Sequence, residues 1–234
     1  METMSLPRDQ TQILINSFVR SVYNWMAVGL ALTGFTAFYV YNTPSLFNLI
    51  VGNRLIFLGL ILGELALVFT LSARVQRMKA FTATSVFLIY AVLNGATLSV
   101  IFLAYAASSI AKTFFVCAGT FAACSVYGMT TKRDLTSLGG FMAMGLIGII
   151  IASVANMFFR SHVAGQVIAY IGVIVFVGLT AYDTQKLKHM ALSQPAGLDD
   201  AVARKGAILG ALALYLDFIN LFLMLLRIFG SSRE

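Results

Sequence analysis

What most constrains this chain is a succession of apolar stretches about 20 residues long, each enough to cross a ~30 Å hydrocarbon core. They read at 21 to 41, 55 to 73, 81 to 104, 109 to 130, 138 to 159, 165 to 185 and 206 to 229. In lipid a spanning segment must satisfy its own backbone polar groups, which a helix does. Seven such segments predict an all-α, polytopic membrane protein. Composition agrees: 59% of the 234 residues are hydrophobic and 11% charged, against about 25% charged in a soluble domain. The formal charge of +7 does not call for a nucleic-acid partner, because no run of five or more Lys/Arg exists and the basic residues fall between apolar stretches.

The connections are short, so residues 21 to 230 form one seven-helix domain between a tail at 1 to 20 and another at 231 to 234. The first twenty residues, METMSLPRDQTQILINSFVR, lack an apolar region of signal-peptide length followed by a small-residue cleavage site. A retained, soluble N-terminus is expected. Tyr23 and Trp25 at one end of the first stretch, with Tyr39 and Tyr41 at the other, suit the two membrane interfaces.

Eleven basic residues fall on the N-terminal side of the predicted topology: Arg8, Arg20, Arg74, Arg77, Lys79, Lys132, Arg133, Lys186, Lys188, Arg204 and Lys205. Five fall on the other, Arg54, Lys112, Arg160, Arg227 and Arg233. The positive-inside rule therefore puts the N-terminus in the cytoplasm and, with seven spans, the C-terminus outside. A re-entrant last segment would return the C-terminus inside. The one long loop, TQKLKHMALSQPAGLDDAVARK, is predicted to break at Pro195 and Gly197 and to start a short helix at Asp199 and Asp200. Gly206 and Gly210 form a GxxxG pair, and Gly139, Gly140, Gly145 and Gly148 punctuate the fifth span, marking close helix approach. Cys117 and Cys124 lie seven apart on one helix face, too far apart for a local disulfide, and read as packing residues.

Six of the nine acids, Glu2, Asp9, Asp134, Asp199, Asp200 and Glu234, fall in tails or loops. Glu64, Asp183 and Asp217 do not. A charged carboxylate at bilayer depth costs about 2.5–3.5 kcal/mol on insertion scales, so each must be protonated, hydrogen-bonded or able to reach the interface. Asp183 can reach it beside Lys186 and Lys188. Asp217 is eleven residues inside Gly206, roughly 16 Å along a helix, and cannot. Asp217, Asn220 and Met224 share a face predicted to point into the bundle, with Phe218, Phe222 and Leu225 directed elsewhere. Asn94 and Thr97 on the third span and Asn156 on the fifth are candidate partners. Spacing does not establish whether Asp183 and Asp217 meet. If they do, two carboxylates in contact cannot easily both ionise, and the pair shares a proton.

Three segments carry a family resemblance: GLTAYDTQKLK (Gly178 to Lys188), LYLDFINLFLMLLRIFG (Leu214 to Gly230) and TTKRDLTSLGGF (Thr130 to Phe141). With Asp217, Asn220 and Arg227 in place, the chain from 21 to 230 resembles the Bax inhibitor, or transmembrane Bax inhibitor motif, family, most closely its bacterial YccA-like branch. The resemblance implies a last helix central among the other six, and an aspartate pair that closes a cytoplasm-facing calcium pathway in a pH-dependent way. Those aspartates match Asp183 and Asp217, and the family's pore acid matches Glu64. The basic residue that latches the pair has no unambiguous match; Arg74 and Arg77 bracket its position. The implied mechanism is a leak channel of a bacterial inner membrane, with calcium as a permeant ion weakly held by Asp183 and Asp217 and no tightly bound cofactor.

Two rivals differ in class. An intramembrane aspartyl protease would pair Asp183 with Asp217 as acid and base, but its Gly-x-Gly-Asp reads Leu214-Tyr215-Leu216-Asp217 and no Pro-Ala-Leu follows. A zinc enzyme is disfavoured by the absence of HExxH and by placing His162 and His189 on opposite sides. The chain is therefore expected not to be an enzyme. The second rival is an interaction protein that restrains a membrane protease or death-pathway partner, the acids being structural.

Overall fold

The computed structural model describes residues 8–192 and 199–231, with side chains from Ile15 onward. The regular elements among them are all helical: α1 (Arg8–Asn42), α2 (Pro44–Ile50), α3 (Arg54–Arg74), α4 (Ala80–Leu98), α5 (Ile101–Ala104), α6 (Ala107–Thr130), α7 (Thr136–Phe159), α8 (His162–Leu192) and α9 (Asp200–Phe229), with a 3-10 turn at Val75–Arg77 after α3. The expected break at Pro195 and Gly197, and Glu2, Arg233 and Glu234, lie outside the described residues.

Six helical stretches are long and apolar enough to cross a membrane: Arg54–Arg77, Ala80–Ala104, Ala107–Thr130, Thr136–Phe159, His162–Leu192 and Asp200–Phe229. Their free faces are greasy, with Leu55 80% and Phe158 81% exposed, a surface that suits lipid and not water. The helix holding the first predicted span is long enough at 35 residues but is not among the six. Asn24, Thr33 and Thr36, with Tyr23, Tyr39 and Tyr41, dilute its apolar run.

Boundaries differ from expectation where apolarity and helix formation part company. Most of the predicted soluble tail, from Arg8 on, is helix, since α1 begins there. α8 continues to Leu192 and α9 starts at Asp200 as one 30-residue helix, so most of the predicted loop is helical and no separate short helix precedes the last span. No Pro or Gly stands between Leu179 and Ala191 or between Asp200 and Lys205, and polar residues alone do not end a helix. Asp199 starts α9 as a cap, its Oδ1 accepting the Ala201 N–H at 3.0 Å. The third predicted span is interrupted after Leu98. There the bonds tighten to i−3, Val100 N–H to Thr97 O at 3.4 Å, and the Ser99 hydroxyl bonds back to Ala96 O at 2.7 Å.

The chain forms two compact units. The first joins Met1–Leu103 to Lys188–Tyr215. In it α1 and α3 both pack on α4, and Gly95 of α4 sits against the Thr33 backbone and the Thr36 side chain, where any Cβ would collide. The start of α9 is held by Arg204 over the Trp25 ring at 5.6 Å and by Lys205 Nζ donating to Gln76 O at 3.1 Å.

The second unit joins Ala104–Leu187 to Leu216–Glu234. Gly128 of α6 fits against the Ala181 carbonyl and Thr184 of α8, and Gly139 of α7 against the Tyr182 ring. Of the other glycines singled out, Gly145 meets Val175, whereas Gly140 and Gly148 face open space. Cys117 and Cys124 are free; Cys117 is buried, its Sγ 3.7 Å from Phe218 O. Arg160 turns the chain between α7 and α8 in the left-handed region, φ 51°, its N–H donating to Asn156 O at 2.7 Å.

Candidate functional site

The surroundings of Asp183 are built by its neighbours in sequence, each claimed by a different element. Tyr182 is the ring that Gly139 accommodates on α7. Thr184 is fully buried and donates to Ser125 Oγ of α6 at 3.4 Å. Gln185 clamps the connection between α6 and α7: its Nε2 donates to Arg133 O at 2.8 Å, and its Oε1 accepts the Leu135 N–H at 2.8 Å. Asp134 then fixes the start of α7, its Oδ1 accepting from the Thr136 N–H and hydroxyl. Two of the three segments that carry the resemblance therefore dock on each other.

The remaining direction from Asp183 leads to α9. The carboxyls of Asp183 and Asp217 come close enough to each other for a side-chain hydrogen bond. Two ionised carboxylates offer only acceptors, so this bond requires a proton on one of them. Asp183 is half-buried with the Lys186 charge nearby. Asp217 is 5% exposed, and its Oδ2 has no partner among the described residues. No group of three His, Cys, Asp or Glu gathers around a metal-sized site among those residues. The two carboxyls approach although Asp217 stands seventeen residues, roughly 25 Å, from the start of α9. Asp183 lies nine residues before the end of α8, roughly 13 Å inside it.

The predicted polar stripe on α9 is corrected in two ways. Phe218, Phe222 and Leu225 are buried at least as well as Asn220 and Met224, because aromatic neighbours cover that side of α9: Phe218 takes edge contacts from Phe114 and Phe121 at 5.4 and 5.5 Å. Nor does the stripe bond to the candidate partners. Asn220 donates to Leu216 O of its own helix at 2.8 Å. Asn156 caps the end of α7, its Oδ1 accepting the Ser161 N–H at 3.1 Å.

Glu64 lies in the first unit, half-buried, with its Oε1 accepting from the Thr97 hydroxyl at 2.9 Å. One turn before Thr97, Asn94 belongs to a network that the sequence did not disclose. Thr33 Oγ1 donates to Ala91 O at 2.8 Å. Its single proton thus spent, it accepts from the Tyr215 hydroxyl at 2.6 Å. Asn94 Nδ2 donates to Tyr215 at 2.9 Å and to Tyr90 at 3.3 Å. Tyr215 is fully buried, and a buried tyrosine hydroxyl needs such partners. Its place in LYLDFIN, two residues before Asp217, was the available signal. Arg74 ends α3 and Arg77 ends the turn after it, and both are exposed. His162 and His189 are exposed at the two ends of α8.

Comparison with known proteins follows this geometry. The family described as "Inhibitor of apoptosis-promoting Bax1" matches residues 15–234. "Inner membrane protein YbhL" of Escherichia coli (strain K12) is 53% identical over 219 residues, covering 94% of this chain and 93% of the relative. Uncharacterized proteins of Borreliella burgdorferi and Deinococcus radiodurans are 42% and 41% identical over 232 and 234 residues, covering 99% and 100% of this chain and 99% and 98% of the relatives.

Proposed function

This chain belongs to the Bax inhibitor family of membrane proteins, and we propose that it works as a pH-sensitive calcium leak channel gated by Asp183 and Asp217. The observation that carries the reading is the approach of these two carboxyls to hydrogen-bonding reach, one of them almost fully buried. A bond that needs a proton is present at low pH and lost as pH rises. Two carboxylates ~4 Å apart at an effective dielectric near 20 repel by ~4 kcal/mol, enough to reverse a gate poised near balance. Once deprotonated, the pair also offers oxygens suited to a hard divalent cation. Two acids make a weak site, and a leak must release its ion.

In this reading α1 is the first of seven spans and α9 is central among them. The chain sits in a bacterial inner membrane, the location in the name of the Escherichia coli relative, with its N-terminus in the cytoplasm. Glu64 lines the path, Arg74 or Arg77 latches the closed pair, and Asn94 and Asn220 are supporting polar residues. The chain is not an enzyme and holds calcium only in transit.

The alternative is a regulatory protein that restrains a membrane protease or death-pathway partner, the family's description being that of an inhibitor of an apoptosis-promoting protein. Reconstitution of the purified chain in calcium-free liposomes loaded with a calcium dye separates the two. The channel reading predicts influx in pure lipid that is greater at mildly alkaline than at acidic pH; influx no greater than in empty liposomes would make the regulator the better account.

A further inference from the structure

Along the C-terminal halves of α7 and α9, with Phe176 of α8, within the second unit, lies a cavity of about 460 Å³, inside the ~300–1,000 Å³ range of small-ligand sites. Its charged lining residue is near the helix ends. Arg227 stands two residues before the end of α9 and Asn156 three before the end of α7, with Ser153 one turn and Asn220 two turns deeper. The other wall carries Ile150 and Val154, which are 54% and 51% exposed and lie up to six residues deeper than Asn156, roughly 9 Å.

Arg227 is exposed and makes no ion pair or hydrogen bond among the described residues. Its guanidinium lies directly on the backbone of Gly165 in α8, where a side chain of any size would collide with it. The head group thus rests against that backbone with no partner among the described residues to neutralise it. Asn156 and Asn220 each spend one amide atom on the backbone, through Oδ1 and Nδ2 respectively, which leaves Asn156 Nδ2 to donate into the cavity.

We propose that this cavity binds one phospholipid from the surrounding bilayer, its anionic phosphate on Arg227 and Asn156 and an acyl chain along Ile150 and Val154. The argument is charge complementarity and depth. A guanidinium offers a planar fork that matches two phosphate oxygens. Positions within a turn of two helix ends stand at headgroup level, while the exposed aliphatic wall continues toward the hydrocarbon core. The site is separate from Asp183 and Asp217, and its occupancy does not depend on the chain being a channel.

The test is native mass spectrometry of the purified full chain in non-ionic detergent, titrated with phosphatidylglycerol, with diacylglycerol of the same chains, and with inorganic phosphate. Wild type should retain one phosphatidylglycerol and no diacylglycerol, with no competition from phosphate. Arg227→Gln should weaken retention about tenfold, the loss of a charge-assisted pair. Arg160→Gln, an exposed cation at the same end, should leave it unchanged. Should Arg227→Gln fail to fold, Gly165→Ala decides: it displaces the head group, favours the helix and should weaken retention in the same direction. Equal retention by wild type and these variants, equal retention of diacylglycerol, or an equal loss in Arg160→Gln would overturn the site. Competition by inorganic phosphate would overturn the lipid and leave a site for a free anion.

Discussion

Asp217 could be found in the sequence because a carboxylate in an apolar run must be explained; its partner could not, because contact depends on how the two helices are shifted along each other. α8 and α9 outrun their apolar stretches by similar lengths, so helix length alone does not bring Asp183 to Asp217. Tyr215 shows the opposite case. A tyrosine in a membrane helix fits an interface or a core equally well, so its sequence position does not reveal that its hydroxyl joins Asn94 to Thr33. Gln185 was hidden for the same reason, since a glutamine near a helix end reads as solvated, whereas this one clamps the α6–α7 connection. Tyr215→Phe keeps the ring packed between Phe87 and Tyr90 but removes the hydroxyl. It should cost about 1 kcal/mol, the scale of hydrogen bonds between membrane helices, read as a lower denaturation midpoint in detergent. An unchanged midpoint would mean that Asn94 and Thr33 find other partners.

At the level of elements, glycine spacing announced close packing on α7 without saying which glycines take part. Only the neighbours decide that: Gly139 receives the Tyr182 ring, while Gly140, one residue on and about 100° around the helix, faces open space. Gly139→Leu should therefore overpack the α7–α8 contact beside Asp183, costing about 1–3 kcal/mol. Gly140→Leu should be close to neutral, and thermal unfolding of the two variants side by side checks the difference. Equal destabilisation would contradict the packing described. The phenylalanines of α9 teach a related lesson. A polar stripe assigns the inward face to the polar residues, but packing against aromatic neighbours buries Phe218, Phe222 and Leu225 more completely than Asn220 or Met224.

For the whole molecule, apolar length and composition were enough to read an all-helical membrane protein and six of its membrane-crossing stretches. The first predicted span is the one hydropathy does not support, because α1 carries amides, threonines and tyrosines that lower its apolarity even where one of them, Thr33, bonds within the protein. If α1 crosses the membrane, single cysteines placed at Ser17 and Ser231 should react with an impermeant thiol reagent from opposite sides of sealed vesicles, in a background with Cys117 and Cys124 replaced. Labelling of both from one side would leave six spans and reverse part of the topology. The central claim is that a proton shared by Asp183 and Asp217 closes a calcium path, and it is tested most directly by recording calcium influx into liposomes against pH for wild type, Asp183→Asn and Asp217→Asn. An amide keeps the shape and cannot ionise, so the repulsion that opens the gate at high pH is absent. The account predicts influx that rises with pH in wild type and is nearly flat in both variants, whereas variants that keep the wild-type pH profile would show that the gate lies elsewhere.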